Sequence, residues 1–331
     1  MTARSGQRDV VADAGVVPRA GVATVGGPPV AVEPSLPTSA APAPGRAPVA
    51  AHRSEFLYFA LRNWKFVAGL SVVLAFLAAA LFGPMVALHA PLEFNGPTDQ
   101  PPSADYWFGT TSFGQDVFSQ FVHGLRAAFL VGFLGGGIAW VLGALVGFTA
   151  GYRGGAVDDV LNMLTNVVLV IPTLAILIIV SAYMNVHSYA VEAVLIGLTS
   201  WPWAARAVRA QTFTLKTRDF VDVARLSGRS TRQVIVNEIA PNMSSYLLMM
   251  FILLFGGAIL IGASLDFLGL GPSESVSLGL MMNSAFLSSA LTLGSWWWFL
   301  PPGIGIIGIV GGLYVMNVGL DEVFNPRLRE L

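Results

Sequence analysis

The sequence predicts an all-α protein that crosses a membrane six times. Of its 331 residues, 54% are hydrophobic and only 11% are charged, against about 25% charged in soluble domains. Six apolar runs recur along the chain, and a helix needs ~20 mostly apolar residues to cross the hydrocarbon core. Lys and Arg gather on one side when those runs are threaded through a bilayer.

Residues 1–52 are rich in Ala, Pro, Gly and Val and hold neither a helical nor a strand period. Such a segment buries too little apolar surface to offset its ordering entropy, so it is expected to be a disordered cytoplasmic tail. A signal peptide is disfavoured, because no compact apolar core follows the early basic residues. Residues 56–331 then read as one membrane domain.

The spans are expected at about 66–88, 127–150, 160–184, 189–205, 246–268 and 296–320. The fourth, Tyr189–Ala205, is the shortest and carries Glu192 and Pro202. Pro172, Pro202 and Pro301–Pro302 are expected to kink or interrupt their helices. Gly132, Gly135, Gly136, Gly137, Gly143 and Gly147 thin the second span. Gly143 and Gly147 have the small-xxx-small spacing that lets helix backbones approach closely.

The outer loop, residues 89–126, starts polar and Pro-rich. Val117, Phe118, Phe121, Val122 and Leu125 then recur at helical spacing, which predicts an amphipathic helix lying near the outer interface before the second span. His123 reads as a solvated or interfacial residue, since no metal-ligand partner is spaced nearby.

Charge orients the spans, because Lys and Arg accumulate in cytoplasmic loops. Seven lie before residue 66, seven in the loop after span four, one at Arg153 and two at Arg327 and Arg329, seventeen of the eighteen in all. An even number of spans with both termini cytoplasmic puts all of these inside. The eighteenth, Arg126, stands where the second span begins. Trp296, Trp297 and Trp298 at the outer end, and Trp64 at the inner, are expected to anchor the interfaces.

The chain has no Cys, which excludes disulfides, thiolate chemistry and Cys-based metal sites. Its two lysines, Lys65 and Lys216, do not follow a Gly, so it has no P-loop to hold nucleotide phosphates. Net charge is −1 and suggests no nucleic-acid partner. The four His are scattered, without an HExxH pattern.

Residues 206–245 form the largest polar island. Within Asp219–Asn242, DFVDVARLSGRSTRQVIVNEIAPN, Phe220, Val223, Ala224 and Leu226 suggest a short helix. Gly228 would end it in the left-handed conformation. Ser230 to Gln233 is a capping-box pattern that opens a second helix, and Pro241 marks that helix's end or a kink. A mere basic topology signal explains the arginines but not this paired-helix pattern.

The island resembles the "EAA" loop of ABC-importer permeases. Asp222, Val223 and Ala224 stand at its first three places, Gly228 at its glycine and Pro241 at its proline. Asp222 and Val223 replace the usual Glu and Ala. WFGTTSFGQDVFSQFVHGLRAAFLVG, with Gly109, Thr110, Gly114, Asp116, Ser119, Gly124 and Arg126, is similar to a stretch of dipeptide, oligopeptide and nickel importer permeases. Gln115 stands where that stretch has Arg. GYRGGAVDDVLNMLTNVVLVIPTL, SLDFLGLG and NPRLREL resemble later stretches of the same family in the same order.

The resemblance implies the type I ABC-importer permease fold in the cytoplasmic (inner) membrane. It implies a second homologous permease subunit, two cytoplasmic ABC ATPase subunits or one fused pair, and an extracytoplasmic solute-binding protein. ATP and Mg would bind the ATPases, and this chain would hold no cofactor and catalyse nothing. Asp222, Val223, Ala224, Arg225, Gly228, Arg229, Ser230 and Pro241 would couple ATPase closure to the permease. The cargo would be peptides, with oligosaccharides or nickel as alternatives. A secondary transporter is a further alternative, but only Glu192 lies clearly inside a span, whereas ion-coupled carriers usually place several ionisable residues there.

Overall fold

The computed structural model describes residues 60–94, 96–184, 188–272 and 275–324. The expected tail at 1–52 and the NPRLREL stretch lie outside the described residues. Helices dominate: α1 Trp64–Val86, α2 Val117–Arg153, α3 Gly155–Val170, α4 Thr173–Met184, α5 Tyr189–Leu215, α6 Asp219–Leu226, α7 Thr231–Val234, α8 Ser244–Phe267, α9 Leu278–Leu287 and α10 Trp296–Phe324. Among the described residues the only strand-like pairing is an isolated bridge between Thr110 and Asp116.

α1, α2, α8 and α10 are long and apolar enough to cross a membrane, and α3 with α4 forms a further candidate broken by a 74° bend. Pro172 sits in that break. It has no N–H to continue the ladder, and it biases Ile171 out of the helical region; Ile171 is extended. α5 has 27 residues, ample length for a crossing, but Glu192, Arg206 and Arg209 dilute its apolar character.

Glycine contacts set the direction of these helices. On α2, Gly135 lies against Ala193, Gly143 against Trp201 and Ala204, Gly147 against Ala205 and Val208, and Gly151 against Arg209 and Thr212. The register climbs together on both helices, so α2 and α5 run parallel. The chain between them must return across the full length of the pair. It does so through α3, held at one end by Asp158 and Arg209, and α4, whose Leu177 packs with Val131 and Ile196 at the other. Against α2, α8 is antiparallel: Gly132 meets Ile259, while the Trp140 indole donates to the Leu247 carbonyl at 2.8 Å. α1 and α10 are also antiparallel, with Gly69 against Gly312 and Met316, and Gly319 against Phe66. Lys65 and Asn63 both bind Glu322 at one end of this pair.

Four sequence expectations change. The second helix begins at Val117, not Ala127. The apolar residues assigned to a separate interfacial helix are its first turns, and Val117, Phe121, Val122 and Leu125 are buried in the core. Helical periodicity found that helix but could not tell an outer face from a buried one. The helix expected as the fourth span runs past residue 205 to Leu215. Neither Pro202 nor Pro301–Pro302 interrupts its helix. Trp298 is fully buried in the main core rather than anchored at an interface, whereas Trp64 is 72% exposed.

Candidate coupling and outer-loop sites

The polar island is built from α6 outward. Asp219 and Asp222 lie in its first turn and Arg225 in its last, a distribution that complements the helix dipole. Gly228 follows with φ +75°, its amide donating to the Arg225 carbonyl at 2.9 Å and the Arg229 amide to Ala224 at 3.3 Å. These bonds satisfy carbonyls that the helix end leaves free. The second helix opens on the expected capping box. Ser230 Oγ accepts from the Gln233 amide, and Gln233 Oε1 accepts from the Ser230 amide at 2.9 Å. After α7 the backbone widens into a π turn, Ile235–Ile239, and a short helical segment, Ala240–Asn242. Pro241 falls inside that segment and is exposed.

One face of this unit is fixed. Val221, Ala224, Val234, Ile239 and Met243 bury together with Val208 of α5 and Leu247 of α8, flanked by Tyr152 and Phe148 of α2. Arg225 Nε donates to the Tyr152 hydroxyl at 3.2 Å, and the guanidinium lies 5.1 Å from that ring's centroid. The Tyr152 hydroxyl, and less strongly Asp222, raise the Arg225 pKa further above its already high range, so its charge is permanent. Arg229 pairs with Glu238 across the corner. The other face is bare: Val223 is 58% exposed and Leu226 89%, with Asp222, Gly228, Arg229 and Ser230 also exposed. A rigid patch that exposes apolar residues in a polar rim has the composition of a protein-binding surface.

The outer-loop residues gather at the opposite end. Thr110 is fully buried. Its hydroxyl donates to the Pro97 carbonyl at 2.6 Å and accepts from the Gln100 amide at 2.9 Å. Its carbonyl accepts from the Trp297 indole at 3.1 Å. Gly109 and Gly114 have positive φ, and a side chain on Gly114 would strike the Gly96 backbone. Asp116 caps α2, accepting from the Phe118 amide at 2.9 Å. Ser119 Oγ donates to the His89 carbonyl at 2.8 Å, Gly124 lets α2 touch the start of α9, and Arg126 binds two carbonyls of α1. These residues tie the loop to α1, α2, α9 and α10, and most are spent on internal bonds. His123 Nδ1 lies 2.8 Å from the Ser119 carbonyl.

A family of transport proteins matches this architecture. Residues 143–330, from within α2 through the polar island and beyond α10, match the model of the binding-protein-dependent transport system inner membrane component. The chain belongs to this family. It is 30% identical over 273 residues to the dipeptide transport system permease protein DppC of Alkalihalophilus pseudofirmus, covering 81% of this chain and 88% of that one. It is 31% identical over 275 residues to the oligopeptide transport system permease protein OppC of Mycobacterium tuberculosis, covering 82% and 93%. OppC of Bacillus subtilis is 29% identical over 264 residues, covering 79% and 85%.

In this inner membrane transport component, two further contacts escaped the sequence reading. Asp158 accepts from Arg209 through both oxygens, at 2.5 and 2.6 Å, joining α3 to α5 above the island. Arg206 donates to Asn166 at 2.8 Å beside it. Both link residues 40 or more apart in sequence, beyond the reach of local spacing. Asp266, in the last turn of α8, is 4% exposed.

Proposed function

We propose that this chain is the permease subunit of an ATP-driven importer of peptides and forms half of the translocation pathway with a second, homologous permease. Both termini face the cytoplasm, and six crossings connect them, α3 with α4 counting as one. Two ATPase subunits, or one fused pair, bind ATP and Mg and dock on the polar island, while a solute-binding protein delivers cargo at the outer face. This chain is not itself a catalyst.

The exposed surface of α6 carries this reading. Val223 and Leu226 project from a helix whose opposite face is buried against α2, α5 and α8. Force applied to α6 therefore reaches three membrane helices without a slack linker. ATP can bias the transporter only through differential binding to its two states, and α6 supplies the contact by which a separate ATPase transmits that difference. The named activities of the DppC and OppC relatives support peptides as the cargo.

The test is reconstitution in proteoliposomes with the co-purifying ATPases and binding protein. Peptide is expected to accelerate ATP hydrolysis and to accumulate inside, whereas nickel and oligosaccharide are not. Val223→Asp with Leu226→Asp should abolish ATPase capture while leaving the chain folded, because both side chains are exposed. Uptake that persists without ATPase, or ATPase capture unaffected by the double variant, overturns the proposal.

A further inference from the structure

At the end of the bundle opposite the polar island, two carboxyl groups are buried with no basic partner among the described residues. Glu192, in the first turn of α5, is 2% exposed, and Asp266, in the last turn of α8, is 4% exposed. Both Glu192 oxygens, Asp266 Oδ1 and the Tyr189 hydroxyl are buried and make no hydrogen bond. Glu192 Oε1 lies against Gly262, 3.1 Å from where a Cβ would stand. Asp266 is one turn further along the same face of α8.

The surroundings are shaped around Asp266. A side chain on Gly271 would strike Asp266 Oδ1, and one on Gly279 would come within 2.5 Å of Asp266 Cβ. A cavity of about 20 Å³ borders Gly262, Asp266 and Ser277, room for one water or one small ion. Ser277 Oγ accepts from the Leu280 amide at 3.1 Å, which leaves its proton free to point at a carboxylate. α2, α4 and α10 present Val131, Leu177 and Ile306 to this region. Among the described residues, the other titratable or charged groups near it are Tyr189 and, across the adjoining outer cavity, His123 and Arg126. Arg126 is engaged with the carbonyls of α1.

Two carboxylates buried this deeply in protein cannot both stay ionised without a compensating charge, because burial removes their hydration and each repels the other. The ligands are all hard oxygens. Two carboxylates carry at most two negative charges, and neutralising one of them removes their mutual repulsion.

We propose that Glu192 and Asp266 bind one small monovalent cation, a proton or Na⁺, and that its charge holds the outer ends of α5 and α8 together. With the cation gone, repulsion between the carboxylates loosens that junction. The site is separate from α6 and adds a second input to the helices that α6 moves.

The experiment uses the full chain, purified in detergent with its co-purifying subunits. Thermal unfolding is followed while Na⁺ replaces choline at constant ionic strength, at acid, neutral and alkaline pH. The wild type should gain a few degrees from Na⁺ or from acid, and Glu192→Gln and Asp266→Asn should lose that gain. A response to Na⁺ at alkaline pH identifies the cation as sodium; a response to acid alone identifies it as a proton. Infrared spectra of the wild type give a reading that does not depend on the variants folding. Acid should add a protonated-carboxyl C=O stretch, or Na⁺ should shift the carboxylate bands. A wild type indifferent to both cations in both measurements, or variants that keep the full response, overturns the site.

Discussion

Arg126 Nε donates to the carbonyl oxygen of Ala80 at 2.6 Å, and that carbonyl stands four residues before Pro84 in α1. Helical bonding would pair the Ala80 oxygen with the amide of residue 84, which proline lacks. Arg126 replaces the missing donor from another helix, and its second nitrogen donates to Leu81 at 2.9 Å. The one basic residue that the charge distribution left unassigned therefore mends a defect in α1. Arg126→Ala should destabilise the chain by about 1–3 kcal/mol, the cost of an unmet polar group. Pro84→Ala restores an amide, so the same substitution in that background should cost less than half as much. Unfolding of all four chains in detergent gives the coupling, and a cycle that closes to zero contradicts the pairing.

The α2–α5 contact predicts a second effect. An added Cβ at Gly147 would come within 2.7 Å of both the Ala205 carbonyl and Val208 Cβ. Backbone cannot yield as a flexible side chain can, so Gly147→Leu must push the helices apart, at ~1–3 kcal/mol or more. Gly137 meets nothing within 4 Å and is the control. Gly137→Leu should leave stability within about 1 kcal/mol, the ordinary scale of a glycine-to-helix-former change. Equal losses in both variants would mean that the close approach at Gly147 is not what holds the pair.

How much of this was legible in the sequence depends on the range of each interaction. Ser230, Gln233 and Gly228 were readable because capping and left-handed turns are decided within four residues. The apolar runs were readable because span length is set by the bilayer. Arg126, Thr110 and Asp158 were not, since their partners lie on other helices. The 89–126 stretch shows the same limit. Its periodicity declared a helix, but whether Phe121 and Leu125 meet lipid headgroups or α10 is settled only when Gly305 packs against them. Trp298 misled for a related reason: its neighbour Trp296 is exposed and Trp297 binds the Thr110 carbonyl, and composition cannot separate the three.

Gly228 supplies a third prediction, with a control that its surroundings allow. Its φ is +75°, yet an added Cβ would touch nothing within 4 Å. Only backbone conformation therefore opposes substitution. Gly228→Val should cost about 1–2 kcal/mol and reorient α6 relative to α7. Gly228→Asn, which tolerates the left-handed region, should behave nearly as wild type. The check is thermal unfolding together with capture of ATPase subunits. If Asn and Val were equally harmful, side-chain bulk at a partner surface, not φ, would be the cause.

The Asp158–Arg209 pair gives the last prediction. Both oxygens of Asp158 are engaged by one guanidinium, a geometry stronger and more directional than a single ionic contact. With the Arg206–Asn166 bond, it fastens α3 to the C-terminal half of α5. Asp158 is 13% exposed and Arg209 31%, so the pair is neither fully screened nor fully desolvated. Arg209→Leu or Asp158→Leu alone should therefore cost about 1.5–3 kcal/mol, the usual range for a bond to a charged group. Arg209→Lys keeps the charge but not the fork, and should recover only part of that loss. The exchange Asp158→Arg with Arg209→Asp should recover more than either half alone. Melting temperatures of the six variants, the two halves of the exchange included, read at low and high salt, decide it. A lysine variant equal to wild type would mean that charge alone joins α3 to α5, without the two-pronged contact.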